Sequence, residues 1–391
     1  SALRDRPFSL DPGGCQRIIV LLNMKQINSL ITEKLIQFTN GLIDQEKARV
    51  IIPANEQKKG YWFGGGNMIS DELGNLWLIG RYRDHGDSRT GVGAGLRGLE
   101  LSLFKSEDQA RSFRKVMSWS KSDLENDDFR VLSIEGSALN RLSDGTWEIF
   151  YSVEKSREYP QSLSGYQKQG TGVWSVGRIT SNSLSDFNNS TNDELLICAE
   201  KFEHLHVKDP VVLGSKSCDI LFCTHPFTWA SGSTGYAKRN ESNGFDIADW
   251  CIVEKGHAWD IATTRITSRL SLPQVGPFAD LAPCSIYFFD GAECMNELPQ
   301  NASGRQRPRG YSCEELSGIY FGFDEDFPTL QKISILHPHF ISPWGTGCSR
   351  YVDSLVTDDG IHVTWQQSQK NQSQPLVHNF LSNSQISDLL S

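Results

Sequence analysis

The sequence predicts an all-β chain, a five-bladed β-propeller preceded by a helical segment, and three observations predict it. Turn signals recur about 70 residues apart, at Asp71-Glu72-Leu73-Gly74-Asn75, Ser143-Asp144-Gly145, Gly214-Ser215-Lys216-Ser217, Asp290-Gly291 and Asp358-Asp359-Gly360, the mark of a repeat architecture. Four of these turns lead into a short apolar or alternating run, Trp77–Tyr82, Trp147–Tyr151, Asp219–Cys223 and His362–Trp365, as strands do. The composition agrees, because 34 Gly, 10 Trp, 10 Tyr and 20 Phe in 391 residues suit tight turns joined to aromatic-rich strands.

Residues 1–59 are read as an extension outside the repeats. Within it Ile27, Leu30, Ile31, Leu35, Phe38 and Leu42 recur at helical spacing, so an amphipathic helix over 23–47 is expected to pack that face on the β domain. Residues 60–391 then form the repeats as one catalytic domain. The fourth repeat is shifted in register, with Ser285–Phe289 preceding its turn. Each repeat adds a further strand, at Leu99–Phe104, Gly172–Val176, Gly235–Ala237, Gly318–Phe321 and Leu376–Phe380. Blades of three or four antiparallel strands cannot bury both faces alone, so they stack radially around an axis.

The net charge of -9 offers no positive field for a phosphate backbone or anionic lipid, so neither nucleic acid nor a membrane is an expected partner. The longest early apolar run, Ile18–Leu22, is far too short to span a bilayer. The chain opens on Ser without a signal-peptide pattern, so an export signal was trimmed or never present; a secreted or periplasmic setting is expected ahead of a cytoplasmic one. The nine cysteines lack C-x-x-C spacing, and buried unpaired thiols are the plain reading. Asn189, Asn240, Asn301 and Asn371 open N-x-S/T triplets, which are common in any polar chain.

In a propeller the innermost strand of each blade starts beside the axis, which makes those starts the candidate site. They read Gly64-Gly65-Gly66-Asn67, Ile134-Glu135-Gly136-Ser137, Val207-Lys208-Asp209-Pro210, Trp259–Arg265 and Gly345–Arg350. Three bring an acid: Glu135, Asp209 and Asp260. One acid beside a hairpin is usually a turn former, so the convergence of three carries the argument. Carboxylates gathered beside a channel repel one another, and glycoside hydrolysis uses such a set, one protonated as donor and another ionised as nucleophile or base.

Other side chains join them as candidate binding groups. Asn67 lies beside the axis, and Arg83, Asp84 and His85 crowd a loop after a strand. Arg265 and Arg350 start inner strands, where they either neutralise the acids or grip an anionic sugar. Trp229, like Trp62, Trp259 and Trp344, either stacks on a sugar face or belongs to the core. His85, His225 and His257 share no ligand spacing, so no metal is expected, and no cofactor either. Gly64-Gly65-Gly66 is not a phosphate loop, because no Lys-Ser/Thr follows.

The repeat layout, with Lys208-Asp209-Pro210 heading the third repeat, resembles the invertase, levansucrase and arabinanase superfamily of five-bladed propeller glycosidases, in which an Asp-Pro element supplies a pocket aspartate. Ala292-Glu293-Cys294 is similar to the Glu-Cys element that holds the acid of the invertase branch. The resemblance implies an exo-acting hydrolase for a terminal sugar, such as an arabinose or fructose furanoside, with an oligosaccharide or glycoside as substrate. Glu135 or Glu293 would be the general acid, Asp209 the orienting acid, and Asp260 or Asp84 the base or nucleophile. The first-blade aspartate of the superfamily should fall near Gly65-Gly66-Asn67, where this chain has no acid. Glu293 is expected at the far end of its strand from Asp260. Two other readings stand alongside: a non-catalytic carbohydrate-binding propeller, for which the missing acid speaks, and a hydrolase for anionic sugars using Arg83, Arg265 and Arg350.

Overall fold

The chain folds mainly as antiparallel meanders with few helices. The structure, a computed structural model, describes residues 27–84, 97–184, 187, 191–199, 201–214, 218–293 and 315–391. Helix α1 (Ser29–Leu42) and strand β1 (Arg49–Ile52) come first. The first group is a five-stranded sheet of β2 (Trp62–Gly64), β3 (Met68–Ser70), β4 (Leu76–Arg83), β5 (Glu100–Ser106) and β6 (Arg114–Ser120). The second, a four-stranded sheet, holds β7 (Val131–Arg141), β8 (Trp147–Lys155), β9 (Val173–Ser181) and β10 (Thr191–Ile197). The third, also four-stranded, holds β11 (His206–Leu213), β12 (Asp219–His225), β13 (Ser233–Arg239) and β14 (Phe245–Asp249).

An eight-stranded sheet contains the remaining two groups. One is β15 (Thr263–Ser271), β16 (Cys284–Ala292), β17 (Leu316–Phe323) and β18 (Gln331–Lys332). The other is β19 (Ser349–Thr357), β20 (Gly360–Gln367) and β21 (Leu376–Ser382), to which β1 adds an outer strand through Arg49 opposite His378. The two groups meet at a parallel pair, Leu316 with Ser349. Helix α2 (Asn383–Leu390) closes the chain with a capping box between Ser382 and Gln385.

Every residue of β8, β16 and β20 is buried, because both faces of these middle strands are covered. Of these, β16 holds the apolar run Ile286–Phe289, whereas β20 alternates apolar residues with buried His362, Thr364 and Gln366. The cores lie between consecutive groups: Leu101 and Leu103 pack with Ile134 and Ile149, and Phe150 and Val176 with Ile220 and Phe222. Leu221 and Tyr236 pack with Ile266 and Phe289, and Phe288 and Ile319 with Val363 and Trp365. Phe63, Leu78 and Phe104 pack with Ile52 and Leu376, which brings the last group against the first. A repeated device supports this packing. Tyr151 opposes Gly177, Phe222 opposes Gly235, and Phe289 opposes Gly318 across neighbouring strands. The ring occupies the space a side chain would need, since a Cβ on Gly177 would lie 2.4 Å from the Tyr151 ring.

The helix starts where Asn28 accepts the Ile31 N–H at 2.9 Å, and it buries Ile31, Leu35, Phe38 and Leu42. Leu30, expected on that face, is 58% exposed instead, because it lies one residue off the buried stripe. Asp290-Gly291 is a second correction. It is not a turn but the interior of β16, opposite Arg265 and Thr264, and the β15–β16 connection is Leu272–Pro283. Gly291 is needed there for close approach to Trp259, whose ring would be 2.6 Å from an added Cβ. Ser215–Ser217 of the third expected turn lie outside the described residues.

Candidate active site

The inner strands β7, β11 and β19 each break register near their starts, between Ile134 and Ser137, Lys208 and Val211, and Arg350 and Asp353. Such bulges re-aim side chains, and here they carry Glu135, Asp209 and Tyr351. Asp209 and Tyr351 have φ of 54° and 53°, a left-handed conformation that costs a non-glycine residue on the order of 1 to 3 kcal/mol. Cross-group hydrogen bonds hold it. The Asp209 amide donates to Ser152 Oγ at 2.8 Å, and Asp209 Oδ1 accepts the Gly136 amide at 2.9 Å. The Tyr351 amide donates to the Asp290 carboxylate at 3.0 Å, and the Ser137 amide to the Gly65 carbonyl at 2.8 Å.

The charged side chains are paired across groups. Arg81 donates to Glu135 Oε2 from Nε at 3.1 Å and Nη2 at 2.8 Å, and Arg83 Nη1 donates to Glu135 Oε1 at 2.9 Å. Arg265 is shared by three acids, Asp209 at 3.0 Å, Asp290 at 2.7 Å and Glu315 at 2.8 Å. Arg350 also pairs with Glu315, at 2.6 Å, and Lys208 lies 3.5 Å from Asp209. The Tyr351 ring lies 4.1 Å from the Arg265 guanidinium, and its hydroxyl 3.5 Å from both Asp209 Oδ2 and Arg81 Nη2. A cavity of about 20 Å³ opens among Gly65, Gly136, Asp209, Arg265 and Tyr351.

These pairings spread the proton affinities apart. Burial pushes Glu135 up, but the Arg81 and Arg83 charges outweigh it and hold the group well below the usual carboxylate range. Glu315 is likewise lowered, burial being overcome by Arg265 and Arg350. Asp290 goes the other way, pushed to about 6 by burial against the pull of Arg265. Burial also raises the Tyr351 hydroxyl to about 12 and lowers Arg83 to about 10.

An aromatic cluster adjoins this network at the start of β11. Trp229 stacks on His206 with centroids 4.3 Å apart and tilts against His225 at 4.6 Å, while the Tyr159 hydroxyl meets His206 Nε2 at 2.9 Å. Burial lowers both histidines, His225 to about 3, so neutral rings brace the indole.

Of the expected residues, Glu135, Asp209, Arg83, Arg265 and Arg350 meet in the network, and Trp229 lies beside it. Asn67 bridges instead to the backbone of Leu139, donating to its carbonyl at 2.9 Å and accepting its amide at 2.7 Å. Asp84 accepts from Asn55 at 2.9 Å. Asp260 is fully buried, accepts from Lys332 at 2.6 Å and lies against Gly256 and Gly291. Glu293 is corrected in position: Ala292 pairs with Thr263, so Glu293 lies at the same end as Asp260, as antiparallel pairing of β15 and β16 requires. His85 lies outside the described residues.

The sequence reading missed Arg81, Asp290, Glu315 and Tyr351. Arg81 and Arg83 stand two apart on β4, the spacing that places both on one face of a strand, and this was the legible signal. It also explains Gly65. An added Cβ there would lie 3.3 Å from the Arg81 guanidinium, so Gly65 leaves room for that cation.

No family model matches the chain, and no curated protein matches it. Solved structures do. One, a complex of BT0996 with RGII, aligns with TM-score 0.61 at 9% identity over 91% of this chain and 96% of its own. A glycoside hydrolase aligns with TM-score 0.59 at 9% identity, covering 91% and 96%. The RS223 β-xylosidase aligns with TM-score 0.51 at 8% identity, covering 86% and 95%. The chain therefore has the fold of the propeller-type glycoside hydrolases.

Proposed function

We propose that this chain is a five-bladed propeller and a glycoside hydrolase that releases a terminal sugar, with its chemistry on the axis. The five antiparallel groups, each packed on the next and the last on the first, are the blades. Residues 60–391 form the catalytic domain, and residues 1–59 are an extension that lends it β1.

One observation carries the reading: Asp209, strained and held by Gly136 and Arg265, borders a cavity of about 20 Å³, room for one water. Asp209 is then the base. It takes a proton from that water, whose oxygen bonds to the anomeric carbon as the glycosidic C–O bond breaks and the leaving oxygen takes a proton from the general acid. Glu135 is unsuited to donate, because two guanidiniums hold it ionised. Glu293, half-buried at the same end of the sheet, takes the donor role. Asp290 and Tyr351 position Arg265 and Asp209, Asp260 anchors the approach to β15, and Trp229 is the stacking platform. Displacement by a separate water inverts the anomeric centre.

The test is a panel of aryl glycosides, including arabinofuranosides and uronides, with the first-formed anomer read by proton NMR. Asp209→Asn should still fold and lose turnover roughly a thousandfold. A non-catalytic sugar-binding propeller is the second reading, favoured by the pairing of Glu135, Asp209, Asp290 and Glu315 with arginine. Under it no glycoside on the panel is cleaved, and Asp209→Asn keeps sugar binding.

A further inference from the structure

We propose that the side of the site built on β4 is a receptor for the carboxylate of a uronate sugar, with Arg83 as its two-pronged donor; this rests on the sugar-site reading above and names its substrate class.

The Arg83 side chain is 5% exposed and spends Nη1 on Glu135. Its Nε and Nη2 are buried and have no hydrogen-bond partner. Those two nitrogens share one edge of the guanidinium, and their parallel N–H groups match the two oxygens of a planar carboxylate. A buried charged donor without an acceptor is costly to keep, so the edge calls for a ligand.

Charge points the same way. Glu135 is shared between Arg81 and Arg83, so it cannot balance both. Arg350 is nearby as well: its guanidinium and that of Arg83 each lie 4.8 Å from the Trp62 ring. Repulsion from Arg81, Arg97 and Arg350 adds to burial in lowering the proton affinity of Arg83 to about 10. A monoanion on the free edge relieves that repulsion, whereas a neutral hydroxyl supplies one dipole and no charge.

The experiment is calorimetric titration of the full chain with D-galacturonate and D-glucuronate, each against its neutral hexose and against galactose 6-sulfate. The wild type should bind one uronate at least roughly tenfold more tightly than its neutral hexose and than the sulfate ester, a preference that salt weakens. Arg83→Met should abolish it and Arg83→Lys, which keeps the charge but not the fork, should reduce it. Equal binding of uronate and neutral sugar by the wild type overturns the proposal whatever the variants do. So does a preference for the sulfate ester, or a folded Arg83→Met that still prefers uronate. Loss of the hydrolase reading is separate: absent aryl glycoside cleavage with the uronate preference intact removes the catalysis and leaves the receptor.

Discussion

On the side of the site built by the first and second groups one carboxylate, Glu135, is shared by two guanidiniums, whereas on the side built by the third to fifth groups one guanidinium, Arg265, is shared by three carboxylates. Both arrangements keep charges buried, but the first leaves donors of Arg83 without a partner, whereas Arg350 and Lys208 join Arg265 in facing the three acids of the second. The first side holds its acid firmly ionised and has cationic donors left over on Arg83. The second holds acids of unequal proton affinity, with Glu315 pulled down and Asp290 pushed to about 6. A cation surplus suits anion recognition, and a spread of carboxylate affinities suits acid–base chemistry. On the proposed function, this contrast assigns recognition to the first side and chemistry to the second.

The largest effect should come from the shared guanidinium. Arg265→Met strips three buried acids of their common partner and should cost on the order of 3 to 5 kcal/mol in urea unfolding at pH 7. Arg83→Met should cost clearly less, because Arg81 still pairs with Glu135 through two hydrogen bonds. Equal losses would break the comparison.

A smaller effect tests the bulges. In Gly136→Ala the new Cβ would sit 2.4 Å from Asp209 Oδ1, and overpacking of this kind costs about 1 to 3 kcal/mol. Turnover should fall more than KM changes, since the displaced group is the proposed base. Gly165→Ala, with nothing within 4 Å of its Cβ, is the control and should leave both untouched.

The smallest effect is in pH. Glu135 binds its proton less tightly folded than unfolded, so its contribution is present above about 4.5 and is lost as pH falls through the lower folded value. Asp290 does the reverse: between 3.8 and about 6 the native state holds the extra proton, so its contribution is full below that window and fades as pH rises through it. Urea midpoints across pH 3 to 7 should therefore show Glu135→Gln flattening the acid limb, by at most about 1.4 kcal/mol per pH unit for one proton. An acid limb as steep as that of the wild type would show that Glu135 is not held ionised in the fold.

Much of the architecture was legible. The runs Trp147–Tyr151, Asp219–Cys223 and His362–Trp365 fall within β8, β12 and β20, because β-branched, aromatic and aliphatic residues in short apolar or alternating runs mark strands in sequence. Glu135, Asp209, Arg265 and Arg350 were legible as residues near inner-strand starts. Asp290 was not, because Asp-Gly reads as a turn until Arg265 and Trp259 are seen to bury it inside β16. Arg81 was hidden within the apolar run of β4. Asp260 stood at an expected inner-strand start, yet its carboxylate pairs with Lys332.

By itself the sequence made legible strands such as β8, β12 and β20 and the helical stripe of Ile31, Leu35, Phe38 and Leu42, since these follow from the periodicity of apolar side chains along a short stretch. Only the tertiary structure decided which acids share a partner. A strand turns successive side chains to opposite faces, so one bulge residue at Asp209 or Tyr351 sets which of them reaches the axis. Once there, each acid is paired with guanidiniums supplied by groups distant in the chain, as Glu135 is with Arg81 of β4 and Asp209 with Arg265 of β15.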